Sequence, residues 1–121
     1  MVVAIRGAIT VEKNEKEAIL TASAKLIEAV MQRNNLTEDN LISIIFTVTQ
    51  DLDQAFPATA ARNLGLTNTP LLDAMEIPVP NSLPMCIRLL AHCETNMSKS
   101  QVKHVYLEGA AALRTDLAKD E

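Results

Sequence analysis

At 121 residues the chain suits one compact domain, and a composition 48% hydrophobic and 21% charged excludes disorder. A formal net charge of -4, with Phe46, Phe56 and Tyr106 as the whole aromatic set, argues against nucleic acid and an anionic membrane surface. An anionic small molecule stays open, because a local cluster of arginines overrides a diffuse negative field.

Residues 2–10, VVAIRGAIT, read as a strand. The segment has no basic leader and is broken by Arg6, which argues against a signal peptide. Asn14, with Glu17 three residues on, has capping-box spacing and predicts a helix running to about Gln32. Ile19, Ser23, Leu26, Ile27, Val30 and Met31 recur at helical spacing and form its inner stripe. NNLTEDN is a polar turn. LISIIFTVT (41–49) is β-branched and apolar on both faces, so it reads as a central strand.

After a polar loop, Pro57 suits the first position of a short helix and Gly65 its C-terminal stop. TPLLDAM is a short strand or extended segment. EIPVPNSLP, with three prolines, is a loop. MCIRLLAHCE (85–94) is a strand, TNMSKSQVK a turn with at most one helical turn, and HVYLEGAAALR (104–114) a last strand. The polar end, residues 115–121, is expected to be mobile.

The order β-α-β-α-β-β-β predicts one domain over residues 1–121, an α/β or α+β layer of two main helices on a mixed sheet. Two helices cover one sheet face, yet the strands are apolar on both. A second copy of the chain is the expected cover, hence a homo-oligomer. No stretch has the length of a membrane span. Cys86 and Cys93, on one strand, point to opposite faces about 23 Å apart, so two reduced thiols in a cytoplasm are expected.

Two arginines stand inside apolar strands. Arg6 shares its face with Ala4 and Ala8, and Arg88 shares its face with Cys86, Leu90 and His92. A guanidinium is always charged, so each needs an anionic partner. Either each pairs with an internal carboxylate or snorkels to a sheet edge, or the two, joined by Tyr106, line a site for a carboxylate ligand. Glu76, before the Pro-rich loop, is either a solvated loop carboxylate or, near two arginines, the acid that would accept a ligand hydroxyl. With only Gly7, Gly65 and Gly109 in the chain there is no Gly-rich phosphate loop. His92 and Cys93 are neighbours pointing apart, so they form no nucleophile–base pair. Cys86, His92, Cys93 and His104 lack zinc-like spacing, and neither metal nor cofactor is expected.

Four segments, AIRGAITVE (4–12), FPATAAR (56–62), AMEIPVPNSLPMCIRLL (74–90) and HVYLEGAAALRTDL (104–117), resemble the monofunctional chorismate mutases of the trimeric α/β class. The resemblance implies a mixed five-stranded sheet against helices, three subunits around a barrel-like core, and active sites between neighbours. It implies conversion of chorismate to prephenate, an intramolecular Claisen rearrangement. It gives Arg88 the ether oxygen and a carboxylate, Arg6 and Tyr106 a carboxylate, and Glu76 the ring hydroxyl. Phe56, Ala58, Thr59, Arg62, Leu72 and Asp73 then belong to the substrate-binding rim, with Phe56, Ala58 and Arg62 coming from the neighbouring subunit. Leu113 and Arg114 close the site from the C-terminal segment. Thr59, Asp73 and Met75 stand where the family often has Lys, Cys and Gln. A trimeric carboxylate-binding module, or an imine deaminase of similar architecture, is the competing reading. A second strand arginine with Glu76 and Tyr106 is more than such a module needs.

Overall fold

The computed structural model describes residues 1–113. Its elements run β1 (Val2–Thr10), α1 (Lys16–Arg33), β2 (Leu41–Val48), α2 (Pro57–Asn63), β3 (Leu71–Met75), β4 (Cys86–Glu94) and β5 (Val105–Leu107). Short 3-10 turns at Glu38–Asn40 and Glu108–Ala110 precede β2 and follow β5. The five strands form one mixed sheet in the order β3-β2-β4-β1-β5. β4 runs antiparallel to β1 and β2, while β3 and β5 lie parallel to β2 and β1 at the two edges. Strand 41–49 is thus interior, as its two-sided apolar pattern requires.

Both helices lie on one face. Ile19, Ser23, Leu26, Ile27 and Val30 are the buried stripe of α1, and Met31 joins it half-buried. From the sheet, Val3, Ile5, Ile9, Ile44, Phe46, Ile87, Leu89, Ala91 and Cys93 meet that stripe. Gly7 sits where α1 comes nearest to β1. A Cβ there would lie 3.1 Å from both Leu26 and Val30, so the missing side chain sets how closely the helix seats. The opposite face is partly open: Val2 and Leu72 are 55% and 60% exposed, and Ile45 and Leu90 are half-exposed. The uncovered apolar face expected from sequence is present.

Two local expectations are corrected. Asn14 does not cap α1; Glu15 occupies the N-cap, without a side-chain cap bond. The Asn14 amide instead donates to Asp53 Oδ1 (2.8 Å) and its carbonyl accepts from Asp53 N–H (3.1 Å), tying two loops together. The last strand is three residues long rather than spanning 104–114. Glu108 takes a left-handed backbone (φ 55), and Gly109 N–H donates to Thr10 Oγ1 at 2.7 Å. The chain therefore leaves the sheet into a helical turn, with the alanines of 110–112 favouring helix over strand. TNMSKSQVK makes a turn, as expected, closed by the Gln101 and Val102 N–H groups on Ser98 O. Among the described residues, no helix is long and apolar enough to cross a membrane.

Candidate active site

Strand alternation places Arg6, Ala8, Arg88 and Tyr106 on the open face, and the register brings three of them into one row. Thr47 of β2 pairs with Arg88 of β4, Arg88 with Ala8 of β1, and Ala8 with Tyr106 of β5. Ala8 is the small residue that separates the guanidinium from the phenol. Arg6, opposite Leu90, is the diagonal neighbour of Arg88 one row along. Its backbone N–H donates to His104 Nδ1 at 3.0 Å, which makes His104 a strand-end acceptor.

Glu76 reaches the same row from the end of β3. Its N–H donates to Val48 O (2.9 Å), continuing the β2–β3 pairing by one residue. Its Oε1 lies 2.7 Å from Arg88 Nε and accepts from Thr47 Oγ1 at 3.2 Å. The first alternative drawn for buried arginines therefore holds for Arg88: it pairs with an internal carboxylate. That carboxylate is the acid expected to share its site, so the two alternatives coincide. The ion pair is close but oblique, and the Nε–H is not directed at the Glu76 oxygen. The Arg88 side chain keeps 39% exposure toward the open face.

The Pro-rich loop returns to β4 through a dense polar junction. Asp51 accepts the Met85 N–H on both carboxylate oxygens (3.2 and 3.0 Å), and Thr49 Oγ1 also donates to Asp51. Cys86 N–H donates in turn to Thr49 Oγ1 at 3.0 Å. This holds Met85 in a left-handed conformation (φ 52) three residues before Arg88. Beside it Ala8, Cys86 and Ala110 form a small buried cluster with Leu83, Tyr106 and Leu113 against it. Leu113 therefore sits next to the Arg88–Tyr106 row. Arg114 and residues 115–121 lie outside the described residues. Burial pushes the Cys86 thiol up to about 11, against the opposing pull of Arg88, so it is no nucleophile. Among the described residues, no cluster of His, Cys, Asp and Glu could hold a metal.

The remaining expected residues stand elsewhere in the chain. Asp73 faces the helix side of β3, in register with Phe46, and its Oδ1 accepts the Ala58 N–H at 3.1 Å. Ala58 is buried at the start of α2. Phe56, Thr59 and Asp73 line a cavity of about 520 Å³ with Lys16, Leu20 and Met75. Phe56 is 67% exposed, and Arg62 is exposed on α2. Leu72 alone of this group projects from the open face, beside Ile45. One chain thus brings Arg6, Glu76, Arg88 and Tyr106 together but leaves Phe56, Ala58, Thr59, Arg62 and Asp73 on the helix side. Sequence reasoning missed Thr47; its signal was a hydroxyl at an alternate position of a β-branched strand.

The family model described as chorismate mutase type I matches residues 2–117. The chain is 49% identical over 118 residues to a chorismate mutase AroH of Thermus thermophilus, covering 97% of each chain. It is 35% identical over 119 residues to a chorismate mutase AroH of Bacillus subtilis (strain 168), covering 98% of this chain and 94% of that one. A solved chorismate mutase from Clostridium thermocellum superposes with a TM-score of 0.90 at 52% identity, over 91% of this chain and 98% of the other. Sheet, strand motifs and relatives agree over nearly the whole length, and the chain belongs to the type I chorismate mutase family.

Proposed function

We propose that this chain rearranges chorismate to prephenate at the row built by Arg88, Glu76 and Tyr106, with Arg6 beside it. In this step one C–O ether bond breaks and one C–C bond forms within the same molecule. No proton, electron or group is exchanged with the protein, so the chemistry calls for no cofactor, nucleophile or metal. What it calls for is a fixed positive charge where the ether oxygen turns negative, and a substrate held in its reactive conformer.

Arg88 supplies the charge. The observation that carries this reading is its oblique contact with Glu76: the guanidinium is oriented by the carboxylate while its Nε–H stays unaligned with it. Arg6 and Tyr106 hold a substrate carboxylate, and Glu76 accepts the ring hydroxyl. Leu113 covers one end of the row.

Phe56, Ala58, Thr59, Arg62, Leu72 and Asp73 complete the site from a neighbouring copy. The support is geometric: most of them stand on the face of their own subunit opposite Arg88, and the Phe56 side chain is 67% exposed. A homotrimer, with one site per interface, covers the open face and joins the two sets. The two free buried thiols, Cys86 and Cys93, fit a reducing cytoplasm.

Turnover of chorismate by purified Arg88→Ala tests the mechanism. The loss should exceed the ~10²–10³ that follows removal of one neutral oxyanion donor. Arg88→Lys should recover little, because a point charge does not reproduce the planar fork. Arg88→Ala turning over within a few-fold of wild type would remove Arg88 from the chemistry.

A further inference from the structure

Thr47 lies directly across from Arg88 in the β2–β4 register, and from Ala74 in the β2–β3 register. Its hydroxyl donates to Glu76 Oε1, the same oxygen that Arg88 Nε approaches. Among the described residues, Glu76 Oε2 takes no hydrogen bond. The main chain of Glu76 is also tied to β2, through Val48 O. Consecutive residues of one rigid interior strand therefore hold both the backbone and the side chain of the acid.

Resting on the reading of Glu76 and Arg88 given above, we infer that Thr47 is a positioning residue for the reaction. Its hydroxyl and the Arg88 guanidinium converge on Oε1 and set the carboxylate plane, so that Oε2 meets the substrate's ring hydroxyl. A hydroxyl suits this task. It orients the carboxylate as a neutral donor and leaves the charge of Arg88 for the ether oxygen. Arg88 alone, approaching obliquely, fixes a distance without fixing the rotation of the carboxylate.

The bland role for Thr47 is that of a β-branched residue on a half-buried face, which valine fills as well. Steady-state kinetics and thermal melting of Thr47→Val, Thr47→Ser, Glu76→Ala and the Thr47→Val/Glu76→Ala double variant separate the two. Thr47→Val should melt close to wild type while kcat/KM falls about tenfold, the scale of one hydrogen bond to a charged group. Thr47→Ser should restore most of that loss. In the Glu76→Ala background Thr47→Val should add no further loss, because the group through which it acts is gone. Wild-type kcat/KM in Thr47→Val overturns the inference, as does an equal loss with and without Glu76. Wild-type kinetics in Glu76→Ala would be a different failure, removing Glu76 from the site itself.

Discussion

Asp73 carries its carboxylate on the helix side of β3, where Phe56, the N-cap of α2, has no side chain able to cap the helix. By accepting the Ala58 N–H from across the fold, Asp73 does that work and keeps its charge off the open face. Burial is the largest influence on this carboxyl and raises it above its ordinary value of 3.8, against the opposing effects of the Ala58 bond and the Arg62 charge. The folded protein then binds the proton more tightly than the unfolded chain. The contribution of Asp73 to stability is therefore full below pH 3.8 and is lost as pH rises through the folded-state value. Asp73→Asn keeps an acceptor for Ala58 without the half-buried charge. It should melt at or above wild type at neutral pH, with any advantage vanishing in acid. Asp73→Ala, which leaves the N–H without its acceptor, should lose about 1 kcal/mol, the scale of a lost helix cap. Melting curves across pH check both. The Arg88–Glu76 pair, by contrast, is 39% and 19% exposed and screened by water, so it adds at most ~1 kcal/mol to stability. Under the proposed mechanism its importance is where it holds the guanidinium.

At the scale of elements, α2 is short and bounded by sequence-local signals at both ends, with the distant Asp73 completing its N-terminus. Pro57 takes the first helical position, where a missing N–H does no harm. Gly65 (φ 96) ends the helix: its N–H donates to Arg62 O (3.0 Å) and the next N–H, of Leu66, to Ala61 O (3.1 Å). No atom lies within 4 Å of where a Gly65 Cβ would stand, so a substitution there meets only backbone strain. Gly65→Ala should lower the unfolding free energy by about 1–2 kcal/mol, and Gly65→Asn by less. Urea titration of the two variants reads the difference. The same element presents Phe56, Thr59 and Arg62, so its termini would bear on the proposed rim as well as on the fold.

At the scale of the whole molecule, the sheet separates two sets of side chains. The Arg88 row faces the open side and the Phe56–Arg62 segment the helix side, and a site containing both needs two copies. Co-expression of Arg88→Ala with a Phe56→Ala/Arg62→Ala variant tests this, since each alone is expected to be severely impaired. In randomly mixed oligomers about a quarter of the interfaces should join two intact halves, and activity should return toward that fraction. A site complete within one chain would give no recovery.

Local chemistry was legible in the sequence: strand and helix periods, the proline and glycine that bound α2, the two strand arginines, and an apolar face left without a cover. These depend on neighbours a few residues apart. Asn14 shows where such reading ends, because a capping residue was drawn away by Asp53, 39 positions along the chain. The three-residue β5 is a second case, set by Thr10 receiving Gly109 from 99 positions away. What only the tertiary structure decided was strand order and register. Without the β2–β4–β1–β5 order, neither the row joining Thr47, Arg88, Ala8 and Tyr106 nor the turn of Asp73 away from it follows. Register is a property of strand pairs distant in sequence, and no single strand's pattern contains it.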